Sequence, residues 1–404
     1  MKHCLFLALT FAALAGPAQA QQIRFDDVIR HLRNPDPRAR LDAIRILREA
    51  RHLEATVPLA PLVVDPVDQI QLEAIATELS FFMVEDVTGR KRLGFVIEKR
   101  SAGQAAAAFD AGPLVAWPRE VPAQLIRTLL QAADDENPKV RLEAIYALGV
   151  IARPPFPQEF NAALIKVLDH YDPAMRGAAA RVAGRLQVKS AVDHLIKAVN
   201  DSNAGVRYAA MRALGVLRAE QAVQALTEQL NFYKRGEGAW SALDALARIA
   251  HKSSVPVFTS RLTDRDAFIR RAAAEGLGRS GDTSQAAALE VGVGTDSSEI
   301  VRAAMAFALQ KLGRNYIARL VESMDSDKMA AQIAEYFIEL GPSIVPVLAP
   351  YLQDPDAAIR GNVAQVLGAL GGPEALKALE PLTQDRDRDV ARVATRAIER
   401  IKRN

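Results

Sequence analysis

Along residues 190–218, SAVDHLIKAVNDSNAGVRYAAMRALGVLR, apolar side chains return every three or four positions, stop at a polar turn, and resume. Val192, Leu195, Ile196 and Val199 make the stripe of one helix, and Val206, Ala210, Ala213, Leu214 and Leu217 that of a second. So short a pair cannot cover its own stripes, so each pair must stack on the next. The script recurs along the chain. Equivalent positions early in the second helix fall at Arg40, Gln71, Arg141, Arg176, Arg207, Ala239, Arg270, Arg302, Ala330, Arg360 and Ala391, at intervals of 31, 70, 35, 31, 32, 31, 32, 28, 30 and 31. A period near 31 predicts a two-helix repeat, present about eleven times. Alanines, and a glycine near the end of the second helix (Gly149, Gly215, Gly278, Gly368), let neighbouring helices approach closely. With layers ~8–10 Å apart, the array is expected to be a curved rod on the order of 100 Å long.

In five units an aspartate lies six residues before the arginine: Asp135 and Arg141, Asp201 and Arg207, Asp264 and Arg270, Asp296 and Arg302, Asp354 and Arg360. The aspartate is expected to cap the first amides of the second helix. The arginine, one turn in, reaches an aspartate of its own or the adjacent unit, giving a structural ladder of charge-assisted hydrogen bonds between layers.

The motif D-x-x-x-x-[VI]-R-x-x-A-x-x-A-L-G, read at 201–215 and in looser form across almost all of 23–404, resembles the short HEAT-like repeats of the phycobilisome-lyase type. The resemblance implies an all-α fold, a right-handed α-α superhelix whose second helices line the concave face. It is specific for fold only, because the family spans lyases, hydroxylases, adaptors and scaffolds.

Two places depart from the script. Repeats 1–2 occupy 21–83 and repeats 3–11 occupy 120–404, and the interval of 70 between Gln71 and Arg141 leaves 84–119 outside the pattern. This segment reads as an insertion, with a degenerate unit or a disordered excursion as the alternatives. Val84–Thr88 and Arg92–Glu98 around Gly89 suggest a small hairpin, and Gln104–Asp110 a short helix. The sixth unit has Tyr233 and Ala239 where others have aspartate and arginine, among Phe232, Lys234, Arg235 and Trp240. Drift is the simpler account of this departure and a ligand seat the other. In the last unit Arg388, Arg392, Arg396 and Arg400 make a basic stripe, read as a polar cap for an open end.

Composition adds an address. Residues 1–20, with Lys2, an apolar stretch from Leu5 to Ala15 and Ala18-Gln19-Ala20 at the end, have the layout of a secretory signal peptide cleaved near Ala20. The processed chain is therefore expected in the periplasm or outside the cell. No later stretch is long and apolar enough to span a membrane. Cys4, the only cysteine, lies in the leader, so the processed chain has no disulfide or thiolate metal site. Without Lys2 there remain 50 Lys and Arg against 48 Asp and Glu, a balance that argues against nucleic acid as the partner.

Catalytic constellations are not found. His31, His52, His170, His194 and His251 show no ligand spacing and no H-E-x-x-H, unlike the His-Glu pairs of the similar HEAT-like hydroxylases. GLGRSG at 276–281 ends a helix instead of joining a strand to one, and DRDRDV at 385–390 lacks the glycine and glutamate of a calcium loop. No cofactor or metal is expected. The positions facing away from the core include Tyr146, Arg181, Tyr208, Arg212, Trp240, Asp244, Arg271, Glu275 and Phe307, joined by Tyr233. Mixed charge with aromatics suits a protein or peptide surface. The expected function is a non-catalytic binding scaffold of the bacterial envelope, as adaptor or accessory subunit. A bilin-lyase-like or chaperone-like enzyme, which the resemblance also implies, is the alternative.

Overall fold

The computed structural model describes residues 25–84, 103–325 and 327–403. The leader and the expected hairpin beyond Val84 lie outside these residues. Among them the chain is all helical, with one isolated antiparallel bridge and no strand. The second helices run Pro37–Ala50, Asp68–Phe82, Pro138–Ile151, Pro173–Arg185, Ala204–Val216, Gly236–Ile249, Ala267–Ser280, Glu299–Lys311, Asp327–Leu340, Ala357–Leu370 and Arg388–Arg403. Each follows a shorter helix, some of them breaking into 3-10 turns, so the periodic reading of eleven pairs describes the architecture. One continuous core threads the array, from Val28 to Ile398.

The small residues set the layer spacing. A Cβ placed on Gly278 would lie 2.5 Å from Ala308 Cα, and one on Gly215 would lie 2.7 Å from Ala245 Cα. Adjacent second helices touch backbone to side chain at these points, closer than any larger residue allows.

Capping differs from the sequence expectation. The residue four positions before the arginine, not six, starts the second helix: Asp36, Asp172, Asp266 and Asp356 accept from the amide two residues on. The aspartate at minus six closes the preceding turn instead, as Asp201 Oδ1 does with the Asn203 amide at 2.8 Å. An aspartate two residues earlier closes the turn, which leaves the helix start to the residue at minus four in extended conformation.

The open rod is also corrected. The insertion folds back onto the inner layer: Gln104–Asp110 lies on Pro138–Ile151, with the Ala105 amide donating to Glu143 Oε2 at 2.9 Å. Residues 115–117 then pair with the end of Asp68–Phe82, through Val84 N to Val115 O and Trp117 N to Phe82 O, each 2.8 Å. The last helix returns to this segment, with Arg400 Nη2 donating to the carbonyls of Leu114 and Ala116 and Arg403 lying over the Trp117 ring. The array thus closes on its own insertion: of the stripe read as a polar cap, Arg388 and Arg392 are exposed and Arg400 makes the contact.

Candidate functional site

The ladder runs between units in one direction. Arg176 Nε and Nη2 donate to Asp201 at 2.7 and 2.8 Å, Arg270 to Asp296 at 2.8 and 2.9 Å, and Arg360 to Asp385 at 2.8 Å twice. Arg40 pairs with Asp65 in the same way. The third nitrogen, Nη1, holds carbonyls of its own turn: Arg141 takes Asp135 O, Arg207 takes Asp201 O, Arg270 takes Asp264 O, Arg302 takes Asp296 O and Arg360 takes Asp354 O. The own-unit pairs read from the sequence are therefore carbonyl contacts, and the carboxylate partner belongs to the next unit about 25 residues later. These bonds hold the carboxyls of Asp201, Asp296 and Asp385 below the usual carboxylate range.

Exceptions follow the same geometry. Gln71 Nε2 donates to Asp135 where an arginine is missing. His170 replaces aspartate in the fourth unit, so Arg141 Nη2 turns to Asp172 at 3.6 Å. Ala239 offers Asp264 nothing, and Arg261 takes that carboxylate instead, at 3.2 Å. Tyr233, expected at a partner surface, is a rung: its hydroxyl accepts from Arg207 Nε, and its ring fills the space beside Gly238.

The other predicted surface residues fall into three regions of the inner face. At the insertion, Arg181 pairs with Asp110 and donates to the Tyr146 hydroxyl at 3.1 Å, while Phe109 packs on Tyr146 and Gly149. Tyr146 and Arg181 are half-buried against the insertion, which no periodicity argument could reveal.

Farther along, Asp327–Leu340 leans across two layers and covers another predicted stretch. Phe307 is fully buried, stacked on Tyr336 at 4.2 Å, and Glu275 is buried with the Tyr336 hydroxyl donating to it. Both were expected on an open surface, and both are corrected to interior positions. Asp244 accepts from Arg248 at 3.0 Å and Arg271 at 3.1 Å, Glu275 accepts from Arg271 and Arg279, and Glu339 accepts from Arg279 at 3.0 Å. Glu335 at 3.6 Å from Arg248 and Lys311 at 3.8 Å from Glu339 complete four cations against four carboxylates. The surrounding carboxylates raise Arg271 and Arg279 above the ordinary arginine range despite burial, and the arginines hold Asp244 below the usual carboxylate range.

Between these regions three predicted residues remain accessible. Arg212 is exposed and bonded to Glu237 at 2.7 Å; Tyr208 and Trp240 are half-buried. Tyr208 meets Tyr233 edge-on at 5.7 Å, Tyr233 meets Phe232 at 5.0 Å, and Trp240 meets Phe268 at 4.7 Å. Phe232 is 74% exposed and Phe268 46%. Trp240 also donates to Asp266 Oδ2 at 2.6 Å, the same carboxylate that caps the seventh unit's second helix.

Sequence reasoning also missed Glu78. It is fully buried in Asp68–Phe82, neither oxygen has a partner among the described residues, and burial pushes its pKa well above the usual carboxylate range. The signal was present: Glu78 stands where other units place Leu148, Leu214, Leu277 or Leu367. Among the described residues no three histidine, cysteine or acidic side chains gather as a metal-ligand group, and no single helix is long and apolar enough to cross a membrane.

No curated protein sequence matches this one. The chain is similar to an engineered protein of solved structure, at 20% identity over 94% of this chain and 98% of that one, with a TM-score of 0.42. It is similar to the complex of CpcE and CpcF of phycocyanin lyase from Nostoc sp. PCC7120, at 21% identity over 61% of this chain and 96% of that one, TM-score 0.38. It is similar to human deoxyhypusine hydroxylase in complex with glycerol, at 19% identity over 70% and 97%, TM-score 0.30. The family described as HEAT repeats matches residues 161–231, 236–310 and 317–399, and a single HEAT repeat matches 125–153. With more than half of its length so matched, and with helix pairs stacked on one core as described above, the chain belongs to the HEAT-repeat family.

Proposed function

We propose that this protein is a non-catalytic scaffold that captures a protein or peptide partner outside the cytoplasm, after removal of a leader near Ala20. The observation that carries the reading is the aromatic run of the fifth to seventh units: Phe232 and Phe268 stand exposed, backed by Tyr208, Tyr233 and Trp240. Large rings held by neighbours lose little freedom on binding and anchor interfaces well. The same run carries Arg212, Glu237, Lys234 and Arg235 around it, the mixed polar rim that protein interfaces use. The leader layout supports export.

Phe232→Ala with Phe268→Ala is the sharper test than changes at Tyr208 or Trp240, because Trp240 also holds a helix-capping carboxylate. The double variant is expected to keep the helical circular dichroism and melting temperature and to lose most cross-linking to its partner in envelope extracts. Undiminished cross-linking overturns the assigned surface. Mass spectrometry of the protein from its own host checks the address: an amino terminus near Gln21 is expected, and an intact Met1 overturns export.

A further inference from the structure

The turns that precede the second helices form one edge of the stack, and the rungs from Arg176 to Asp201 and from Arg270 to Asp296 tie neighbouring turns together along it. In the fourth and sixth units the rung aspartate of this edge is replaced, by His170 and Tyr233. The residue next to each replacement faces solvent. Tyr171, at 79%, and Phe232 are the most exposed of the large apolar side chains among the described residues. Phe268 stands in the first turn of the seventh unit's second helix, with Trp240 of the sixth unit packed on it at 4.7 Å. Exposed rings at the fourth, sixth and seventh turns thus follow a single edge.

The replacement in the sixth unit also unbalances the charge. Arg207 donates Nε to a phenol where other rungs offer a carboxylate, and Nη1 to the carbonyls of Asp201 and Ser202, so the rung supplies it no counter-ion. Lys234 and Arg235 follow Tyr233 in the same turn, and Arg265 stands between Asp264 and Asp266 in the next; all three are exposed and have no ion pair among the described residues. The nearby acids are mostly taken. Asp264 is held by Arg261 at 3.2 Å and Glu237 by Arg212 at 2.7 Å, while Asp266 accepts from Trp240 and the Phe268 amide. Four cations therefore surround the rings against one carboxylate without a cation. In the tenth and eleventh units the same edge carries Asp354, Asp356, Asp385, Asp387 and Asp389 against Arg360, Arg386 and Arg388, so the positive sign belongs to this stretch alone and not to the edge as a whole.

We propose that the turn edge of the fourth to seventh units binds an extended acidic segment of a partner protein, with Tyr171, Phe232 and Phe268 taking its apolar side chains and Lys234, Arg235 and Arg265 its carboxylates. The inference rests on the aromatic surface proposed above and adds to it the chemistry and the path of the partner. Three layer steps of ~8–10 Å make about 25–30 Å, which an extended chain at ~3.3 Å per residue covers in about eight or nine residues. The cations draw an acidic chain in and set its register, and the rings supply the burial. A nucleic-acid strand, charged at every step, meets Glu237 and Asp266 within the same patch, which favours a peptide whose acids are spaced.

The test uses the whole processed chain and three labelled peptides of about ten residues in fluorescence anisotropy: glutamates with two phenylalanines, the same peptide with lysine for glutamate, and the same with alanine for phenylalanine. The first is expected to bind, to weaken as salt rises, and to bind at least tenfold more tightly than the other two. Arg235→Glu with Arg265→Glu is expected to weaken the first peptide at least tenfold and to strengthen the lysine peptide, with the helical circular dichroism kept. If that variant unfolds, the wild type decides: equal affinity for the glutamate and lysine peptides, affinity indifferent to salt, or no binding at millimolar concentration overturns the acidic partner. Tighter binding of single-stranded oligothymidine than of the glutamate peptide overturns it in favour of nucleic acid. Cross-linking in envelope extracts separates this inference from the reading beneath it. Loss of the partner in Phe232→Ala with Phe268→Ala but not in the charge-reversed variant leaves the aromatic surface standing and overturns the acidic segment; loss in both supports it, and retention in both overturns both.

Discussion

Between the sixth and ninth units four cations meet four carboxylates on the inner face; beside the insertion Arg153, Arg185 and Arg400 have no carboxylate partner among the described residues. The two regions share an origin, since both form where a helix packs onto second helices beyond its immediate neighbour in the stack. In the first, Asp327–Leu340 brings Glu335, Glu339 and Tyr336, so each crossing contact is a charge-assisted hydrogen bond. In the second, Gln104–Asp110 brings only Asp110, and the last helix brings another arginine. Paired charges on a crossing helix fasten it in place, whereas at the insertion Arg153 and Arg400 are held by backbone carbonyls instead.

Matched substitutions test that contrast. Arg279→Met removes one partner of buried Glu275 and the nearest partner of half-buried Glu339, and is expected to lower stability by about 3–5 kcal/mol in urea denaturation. A loss below about 1 kcal/mol there means that the network is not structural.

A ladder rung should matter less. Asp296→Asn removes the charge that accepts both Arg270 nitrogens, for an expected loss of roughly 1.5–3 kcal/mol. Because Asp201, Asp296 and Asp385 are held below the unfolded carboxylate value, their stabilisation is present above pH ~4 and is lost as pH falls through their depressed values. An acid unfolding profile unchanged by Asp296→Asn refutes the rung's contribution.

Glu78 should act in the opposite sense. Its folded value is raised, so wild-type stability falls as pH climbs from about 4, and Glu78→Leu should gain about 1–3 kcal/mol near neutrality. The gain should shrink toward pH 4, and a gain independent of pH assigns it to packing instead.

The smallest effect sharpens the comparison most. Arg185→Met should change stability by less than about 1 kcal/mol, because lost contact with Phe109 is offset by relief of repulsion. A loss as large as that of Arg279→Met would make the two regions alike.

Much of the fold was legible in the letters. The arginine of most second helices, the alanines above it and the glycine beyond recur because every layer solves the same packing problem, as Gly215 against Ala245 and Gly278 against Ala308 show. The ladder residues were legible too, although the spacing left own-unit and adjacent-unit carboxylates both open. The true spacing, from Arg176 to Asp201 or Arg360 to Asp385, crosses a layer and becomes visible only once layers are known to stack in order. The inner-face residues were half legible. Projection identified Tyr146, Glu275 and Phe307 as facing away from their own unit's first helix, but not what lies over them.

The sequence by itself determined the repeated element, because helical period, turn chemistry and close-packing residues are local properties that eleven copies make unmistakable. Tertiary structure alone decided which stretches of the inner face are covered and which distant charges are brought together. Gln104–Asp110, Asp327–Leu340 and Arg400 reach partners far away in the chain, and such contacts depend on the accumulated curvature of the whole stack, which no single repeat encodes.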